Sequence, residues 1–214
     1  MENKQLANLR RDYSSRELLE STVPSDPFAQ FSTWMDEAIN SKVLDANAMT
    51  VSTVGSDGGP SSRIVLLKGF DRGGFVFFTN YTSKKASDLD SNSNISLLFF
   101  WPDLQRQVSI NGMTTKTARE ESEAYFASRP VDSQIGAWAS KQSTVLANRE
   151  ELEERVAEIR TRFEGMEIPC PLFWGGFRVT PCRFEFWQGG ANRLHDRICY
   201  TLVGNIWEIV RLSP

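Results

Sequence analysis

Met49-Thr-Val-Ser-Thr-Val54, Gly55-Ser-Asp-Gly-Gly-Pro60, Ser61-Ser-Arg-Ile-Val-Leu-Leu-Lys-Gly-Phe70, Asp71-Arg-Gly-Gly74 and Phe75-Val-Phe-Phe-Thr79 follow one another without a gap. The first, third and fifth words are rich in β-branched, aliphatic and aromatic residues. Glycine with aspartate or proline fills the second and fourth. The former suit a pleated, half-buried surface and the latter suit turns. The run predicts three strands in a meander with short turns.

Outward from this run, further strands are predicted over residues 95–101, 106–117, 177–188, 193–201 and 206–212. Helices are fewer. One begins at Asp26 with Pro27 in its first position, and Phe28, Phe31, Met35 and Ile39 recur on one face. A short helix over 83–90 takes Ser83 as its cap. Residues 118–129 form a third helix, ended by Pro130. Residues 149–163 form a fourth, with Leu152, Val156, Ile159 and Phe163 as its apolar stripe. Many antiparallel strands with a few helices predict a mainly β (α+β) barrel with helical decoration. Residues 26–214 read as one domain, behind a polar, mobile arm (1–25) that carries Arg10, Arg11 and Tyr13.

At 40% hydrophobic and 24% charged residues, the chain can bury a core, which excludes disorder throughout. A net charge of −3 argues against nucleic-acid binding but leaves room for a local basic pocket. Cys170, Cys182 and Cys199 are odd in number and form no Cys-x-x-Cys pair, so reduced thiols are expected rather than a zinc site or a disulfide framework. The polar start has no signal-peptide core and no run reaches membrane-span length, which makes a cytoplasmic location the default. Neither a dinucleotide glycine motif, a Walker loop nor a nucleophile elbow is present. One histidine and no cysteine pair argue against a bound transition metal.

Five groups of residues are candidates for chemistry. In an extended strand Arg193, His195 and Arg197 share one face, opposite Leu194 and Asp196, and an electron-rich ligand would relieve their mutual repulsion. A solvated basic strand explains them equally well. Arg63 and Lys68 bracket four aliphatic residues, and strict alternation puts them on opposite faces. Ser83-Lys84-Lys85 stands at a helix start, where backbone N–H groups and the dipole favour phosphate, although most lysine pairs are merely solvated. Tyr125 and Arg129, four apart on a helix and followed by Ser133, make a possible phosphate clamp. Phe184, Phe186 and Trp187 lead into Gly189-Gly190 and suit either a flat ligand ring or the core.

Their order and wording resemble the pyridoxine/pyridoxamine 5′-phosphate oxidase family. The resemblance rests on Arg63 to Lys68, Phe78-Thr-Asn80, Arg106-Gln-Val108, Tyr125-Phe-Ala-Ser-Arg-Pro130, Asp132-Ser-Gln-Ile-Gly-Ala-Trp138, Lys141-Gln-Ser143, Phe173-Trp-Gly-Gly-Phe-Arg178, Glu185-Phe-Trp-Gln-Gly189 and Arg193 to Arg197. It implies an FMN-binding split β-barrel with peripheral helices, homodimeric, holding FMN in clefts between subunits. It implies oxidation of pyridoxamine 5′-phosphate and pyridoxine 5′-phosphate by O2, with no nucleic-acid or membrane partner. Arg63, Ile64, Val65, Leu66, Leu67, Lys68, Phe78, Thr79, Lys84, Lys85 and Gln107 would hold FMN from one subunit. Gln142, Ser143, Trp187 and Arg197 would hold it from the other. Lys68, Tyr125, Arg129 and Ser133 would take the substrate phosphate. Arg193, Leu194 and His195 would meet the pyridine ring together with Arg197. Asp45 would touch the substrate, and Arg10 and Tyr13 would close over it. Phe78 stands where tyrosine is common, and Lys84 where arginine is common. The competing readings are a flavin or deazaflavin-dependent reductase of the same fold and a non-catalytic carrier.

Overall fold

The computed structural model describes residues 17–214, so Arg10 and Tyr13 lie outside the described residues. Among the described residues five helices, α1 (Pro27–Asn40), α2 (Lys84–Ser91), α3 (Arg119–Ala127), α4 (Val131–Ala139) and α5 (Arg149–Arg162), accompany nine strands. The strands are β1 (Ala48–Val54), β2 (Pro60–Leu66), β3 (Gly69–Asp71), β4 (Gly74–Asn80), β5 (Asn94–Trp101), β6 (Arg106–Lys116), β7 (Trp174–Gln188), β8 (Asp196–Val203) and β9 (Ile206–Arg211). They pair in the order β2-β1-β5-β6-β7-β4-β3, with β8 joined to β7 and β9 to β8.

The expected meander is corrected at one point. Residues 61–70 are not one strand: the chain breaks at Leu67 and Lys68 into β2 and β3, which stand at opposite ends of the pairing order. Leu67 is buried, and the Lys68 N–H donates to the Val76 carbonyl at 2.8 Å. The backbone thus passes from one partner strand to another, so the five words make two hairpins. Gly74 closes the second of them at φ +127°, and a Cβ there would stand 2.0 Å from the Val179 carbonyl oxygen of β7.

The residues group into two compact units. The first comprises the N-terminal segment to Met49, Leu97–Asn111 and Cys182–Pro214. In it, Asp26 caps α1 by accepting from the Phe28 N–H at 2.9 Å. The buried stripe of α1 is Pro27, Phe31, Trp34, Met35 and Ala38, whereas Ile39 is 57% exposed. At about 100° per residue, Ile39 lies about a third of a turn from the centre that Trp34 and Ala38 define. Trp34 meets Phe186 edge-on at 5.3 Å, and Phe186 meets Tyr200 likewise at 5.6 Å. Each buried ring of this kind contributes about 2–3 kcal/mol. Leu18 is buried, its N–H donating to Asp196 at 3.0 Å, and Arg211 binds Glu20 and Asp196. Residues 18–20 of the expected arm are therefore pinned to β8 and β9.

The second unit comprises Thr50–Ser96 and Gly112–Pro181. Helices α3, α4 and α5 enclose a cluster of Phe126, Ile135, Ala139, Ile159, Ile168 and Trp174, against which Val156 and Phe163 pack. Helix α4 was not expected from the sequence. Pro130, read as the end of α3, also stands at the N-cap of α4 and accepts from the Ser133 N–H at 2.9 Å. Gly136 in its middle obscures the helical pattern of Ile135 and Ala139. No helix among the described residues is long and apolar enough to cross a membrane.

Candidate active site

The second unit holds a cavity of about 860 Å³. The break between β2 and β3 brings Arg63, Ile64, Val65, Leu66 and Lys68 to its wall together. This corrects the alternation argument, which separated Arg63 from Lys68; alternation ends where β2 ends. Leu67 is buried and does not line the cavity.

Thr79, Lys84, Lys85, Gln142 and Ser143 form one part of the wall. Lys85 is only 7% exposed. Its Nζ donates to Thr79 Oγ1 at 2.8 Å, Gln142 Oε1 at 3.2 Å and Ser83 Oγ at 3.3 Å, all neutral acceptors. Ser83 stands at the N-cap of α2, as expected, but its side chain makes no cap bond and serves Lys85 instead. Burial, and then the neighbouring Arg63 charge, bring the Lys85 pKa down to about 8. Burial likewise lowers that of Arg63, with Asp88 acting in the opposite direction. Lys84, by contrast, is half-exposed and paired with Asp88 at 2.8 Å. The resemblance assigned Gln142 and Ser143 to a second subunit. In the structure they line the cavity of the same chain, and Gln142 bonds both Thr79 and Lys85.

A second group is built on aromatic rings. Phe78 stacks on Tyr125 at 4.1 Å and on Trp174 at 5.4 Å. Lys68 Nζ stands 5.9 Å from the Tyr125 ring centre. The Arg129 guanidinium lies over the Trp174 ring at 4.8 Å, and its Nη1 is buried with no hydrogen-bond partner among the described residues. Burial lowers the Arg129 pKa. Ser133, in the first turn of α4, completes this wall. The sequence reading missed Trp174, although it lies within a quoted word; a platform for a guanidinium is a property of the packed ring, not of the letters.

The remaining candidates belong to the first unit. The strand expected over 193–201 begins only at Asp196. Residues Ala191–Arg193 form a 3₁₀ turn in which Asn192 (φ 54°) and Arg193 (φ 63°) are left-handed. A Cβ on Gly190 would stand 2.2 Å from the Leu194 carbonyl oxygen, so glycine is needed for this turn. The one-face argument for Arg193, His195 and Arg197 therefore fails, since two of the three precede the strand. His195 Nδ1 accepts from the Gly190 N–H at 3.1 Å, and its ring lies 4.6 Å from that of Trp187. With Nδ1 as acceptor, the neutral ring carries its proton on Nε2. Arg197 pairs across β7 with Trp187 and binds Glu185 Oε1 through Nε at 2.9 Å and Nη2 at 2.8 Å. Arg193 and Leu194 are exposed, as is Asp45 in the turn before β1. Gln107 is half-buried in β6 and does not line the cavity described above. Beside it Arg106 binds Glu37 and, at 2.8 Å, Gln188 Oε1, and lies over Trp34 at 4.4 Å.

Lys85 makes the cavity's affinity for anions pH-dependent. A neighbouring anion favours the charged amine, so sulfate, whose charge is constant here, is expected to bind more weakly as pH rises through about 8. Without an anion the folded state loses this proton before the unfolded state does. The cost of this charge to the fold is therefore relieved, and stability rises, as pH goes from about 8 to the ordinary value of 10.5. Sulfate titrations at pH 7 and 9.5 check the first sign; equal affinities would refute it.

The strand order and the cation-lined cavity place this chain among the FMN-binding split barrels. An FMN-binding protein from Nostoc punctiforme shares the fold at TM-score 0.71 and 14% identity, over 90% of this chain and 100% of that one. Residues 35–163 match the family model for pyridoxamine 5′-phosphate oxidase, and residues 174–214 that for the pyridoxine 5′-phosphate oxidase C-terminal dimerisation region. The chain belongs to the pyridoxine/pyridoxamine 5′-phosphate oxidase family. It is 51% identical to the pyridoxine/pyridoxamine 5′-phosphate oxidase of Rubrobacter xylanophilus, over 99% of this chain and 97% of that protein. With that of Cupriavidus pinatubonensis it shares 53%, over 98% and 99%. PhzG from Burkholderia lata, solved in complex with tetrahydrophenazine-1-carboxylic acid, is 30% identical with TM-score 0.88, over 94% of this chain and 100% of that one.

Proposed function

We propose that this chain oxidises pyridoxamine 5′-phosphate and pyridoxine 5′-phosphate to pyridoxal 5′-phosphate. FMN is the cofactor and O2 the acceptor; hydrogen peroxide is released, with ammonia from the amine. One observation carries this reading. The cavity wall holds two separately built cationic groups, Arg63 with Lys85 and Lys68 with Arg129, and none of the four has a carboxylate ion-pair partner among the described residues. For Lys85 and the buried Arg129 Nη1, a charge without a counter-ion is costly unless a ligand supplies one. A flavin phosphate and a substrate phosphate need two such groups in one cavity, and about 860 Å³ lies in the upper range of ligand pockets. The residues fit FMN.

Bound FMN supplies the two-electron chemistry at the substrate C4′. Arg63 and Lys85 hold its phosphate, and Thr79, Gln142 and Ser143 add hydrogen bonds. Lys68, Tyr125, Arg129 and Ser133 hold the substrate phosphate, which aligns C4′ and turns a chance encounter into an oriented one. Trp187, Arg193, Leu194, His195 and Arg197 meet the substrate ring, with Gln107 on the flavin and Asp45 at the substrate edge. A second copy of the chain supplies these first-unit residues in a homodimer; the match of residues 174–214 to a dimerisation region supports this arrangement. The Gly190 N–H, which donates to His195 Nδ1, fixes the ring that meets the group on C4′.

Purified protein is expected to be yellow, to bleach when pyridoxamine 5′-phosphate is added without air, and to consume O2 with peroxide release when air returns. A yellow protein that bleaches with a reduced nicotinamide and not with this substrate would make it a reductase. Arg197→Ala is expected to lower kcat on the order of 100-fold while FMN affinity changes only a few-fold. Glu185 keeps Arg183 as a partner at 3.0 Å, so the fold survives the change. Steady-state kinetics beside a flavin titration check this; wild-type turnover would remove Arg197 from the reaction.

A further inference from the structure

Asp88 sits one turn into α2 and is 3% exposed. Its Oδ1 accepts from Lys84 Nζ at 2.8 Å, and its Oδ2 accepts from Thr53 Oγ1 at 2.7 Å and Ser61 Oγ at 3.0 Å. Burial acts to raise the Asp88 pKa, but the bonds from Lys84, Thr53 and Ser61 prevail and hold it below the ordinary value. An ionised carboxylate has no proton to give, so both hydroxyls must donate to it. Their lone pairs are then left for Arg63, whose Nη1 donates to Thr53 Oγ1 at 2.8 Å and whose Nη2 donates to Ser61 Oγ at 2.7 Å. A weaker bond to the Val51 carbonyl at 3.3 Å completes the set.

We propose that Asp88 is a positioning residue for the anion-binding wall of the cavity, acting on Arg63 through Thr53 and Ser61. The carboxylate fixes which way the two hydroxyls point, and the hydroxyls fix the plane of the guanidinium. Among the described residues no carboxylate touches Arg63 itself, so its charge is not paired off there. The rest of its N–H fork is left for a ligand on the wall that Arg63 lines. Lys84 is treated in the opposite way: its direct bond to Asp88 commits its charge inside the chain. Asp88 thus sorts the cations of this wall, leaving Arg63 and Lys85 for the ligand. The pattern is that of outer groups that orient a ligand-binding side chain without touching the ligand.

The proposal rests on the reading of this wall as the FMN phosphate site. Its test compares FMN with riboflavin, which lacks the phosphate, on the full chain stripped of flavin, by quenching of flavin fluorescence. Geometry and simple charge predict opposite signs. Asp88→Asn deletes a negative charge near the phosphate, so a purely Coulombic role would tighten FMN. A positioning role loosens it, because the amide disturbs the order of the two hydroxyls. We expect Asp88→Asn to weaken FMN about tenfold or more and riboflavin by less than about twofold. Thr53→Val, which leaves every charge in place, should repeat the phosphate-specific loss, and Thr53→Ser should restore wild-type affinity. FMN binding that is unchanged or tighter in Asp88→Asn and unchanged in Thr53→Val overturns the proposal. So does an equal loss for both flavins, which marks a merely structural role. A wild-type chain with no preference for FMN over riboflavin overturns the cofactor reading together with the proposal. A preference that survives in both variants overturns the proposal alone.

Discussion

Lys85→Met is expected to weaken FMN on the order of 100-fold and, in the same protein, to raise the melting temperature of the flavin-free form. The two effects have one cause. Lys85 is buried, its acceptors Thr79, Ser83 and Gln142 are neutral, and Arg63 repels it, which is why its pKa falls to about 8. In the absence of a ligand this charge is a liability of the fold. Methionine fills nearly the same volume without charge, and Thr79 Oγ1 keeps its bond to Gln142 at 3.2 Å. Removing an unpaired buried charge stabilises by roughly 1–2 kcal/mol, or about 2–8 °C for a domain of this size. With FMN the sign reverses. A charge-assisted bond to phosphate is worth about 1.5–3 kcal/mol, which corresponds to a ten- to hundredfold change in Kd. Loss of the neighbouring field in a dry site takes the effect to the upper end. Riboflavin should bind the variant as it binds the wild type. Differential scanning with and without flavin reads both halves. A variant that keeps wild-type FMN affinity would remove Lys85 from the phosphate site, and a lowered apoprotein melting temperature would show that Lys85 is structural.

Arg129→Ala should raise KM for pyridoxamine 5′-phosphate on the order of 100-fold, about 2.7 kcal/mol, and leave kcat within a few-fold. Arg129 Nη1 is buried and has no partner among the described residues, while the guanidinium lies 4.8 Å over the Trp174 ring and 5.5 Å from that of Phe126. Such a group is already oriented before the ligand arrives, so little is lost in ordering it. The phosphate is remote from C4′ and unchanged by the reaction, which makes its contacts equal in the ground and transition states; losing them changes KM and not turnover. Lys68 is exposed, and its ammonium cannot take over the bidentate geometry; Arg129→Lys should fail for the same reason. The preference for the phosphorylated substrate over free pyridoxamine should fall by the same factor as KM rises. An unchanged KM, or an equal loss on both substrates, would rule out the clamp.

The strands were legible because their physics is local. Side-chain branching, aromatic content and turn residues mark β1, β4, β5 and β6 wherever they fall in space. The cap of α1 was legible for the same reason: Asp26 and Pro27 act within one turn. Local rules also marked which cations to watch, since Arg63, Lys68, Lys85 and Arg129 all reach the cavity wall. Where the local rule was pushed past an element's end, it failed. Alternation separated Arg63 from Lys68 because the break at Leu67 and Lys68 depends on two partner strands distant in sequence. It aligned Arg193 with His195 because nothing in the letters announces the left-handed turn at Asn192 and Arg193.

The amino-acid order by itself determined the inventory: which segments pair as strands, which charges are available, and which family words the chain spells. Tertiary structure alone decided how those charges are used. Lys84 and Lys85 are adjacent and alike in sequence, yet one is neutralised by Asp88 and the other is buried among neutral oxygens. Burial and counter-ion distance set the energy of a charge, and both depend on residues brought in from remote parts of the chain.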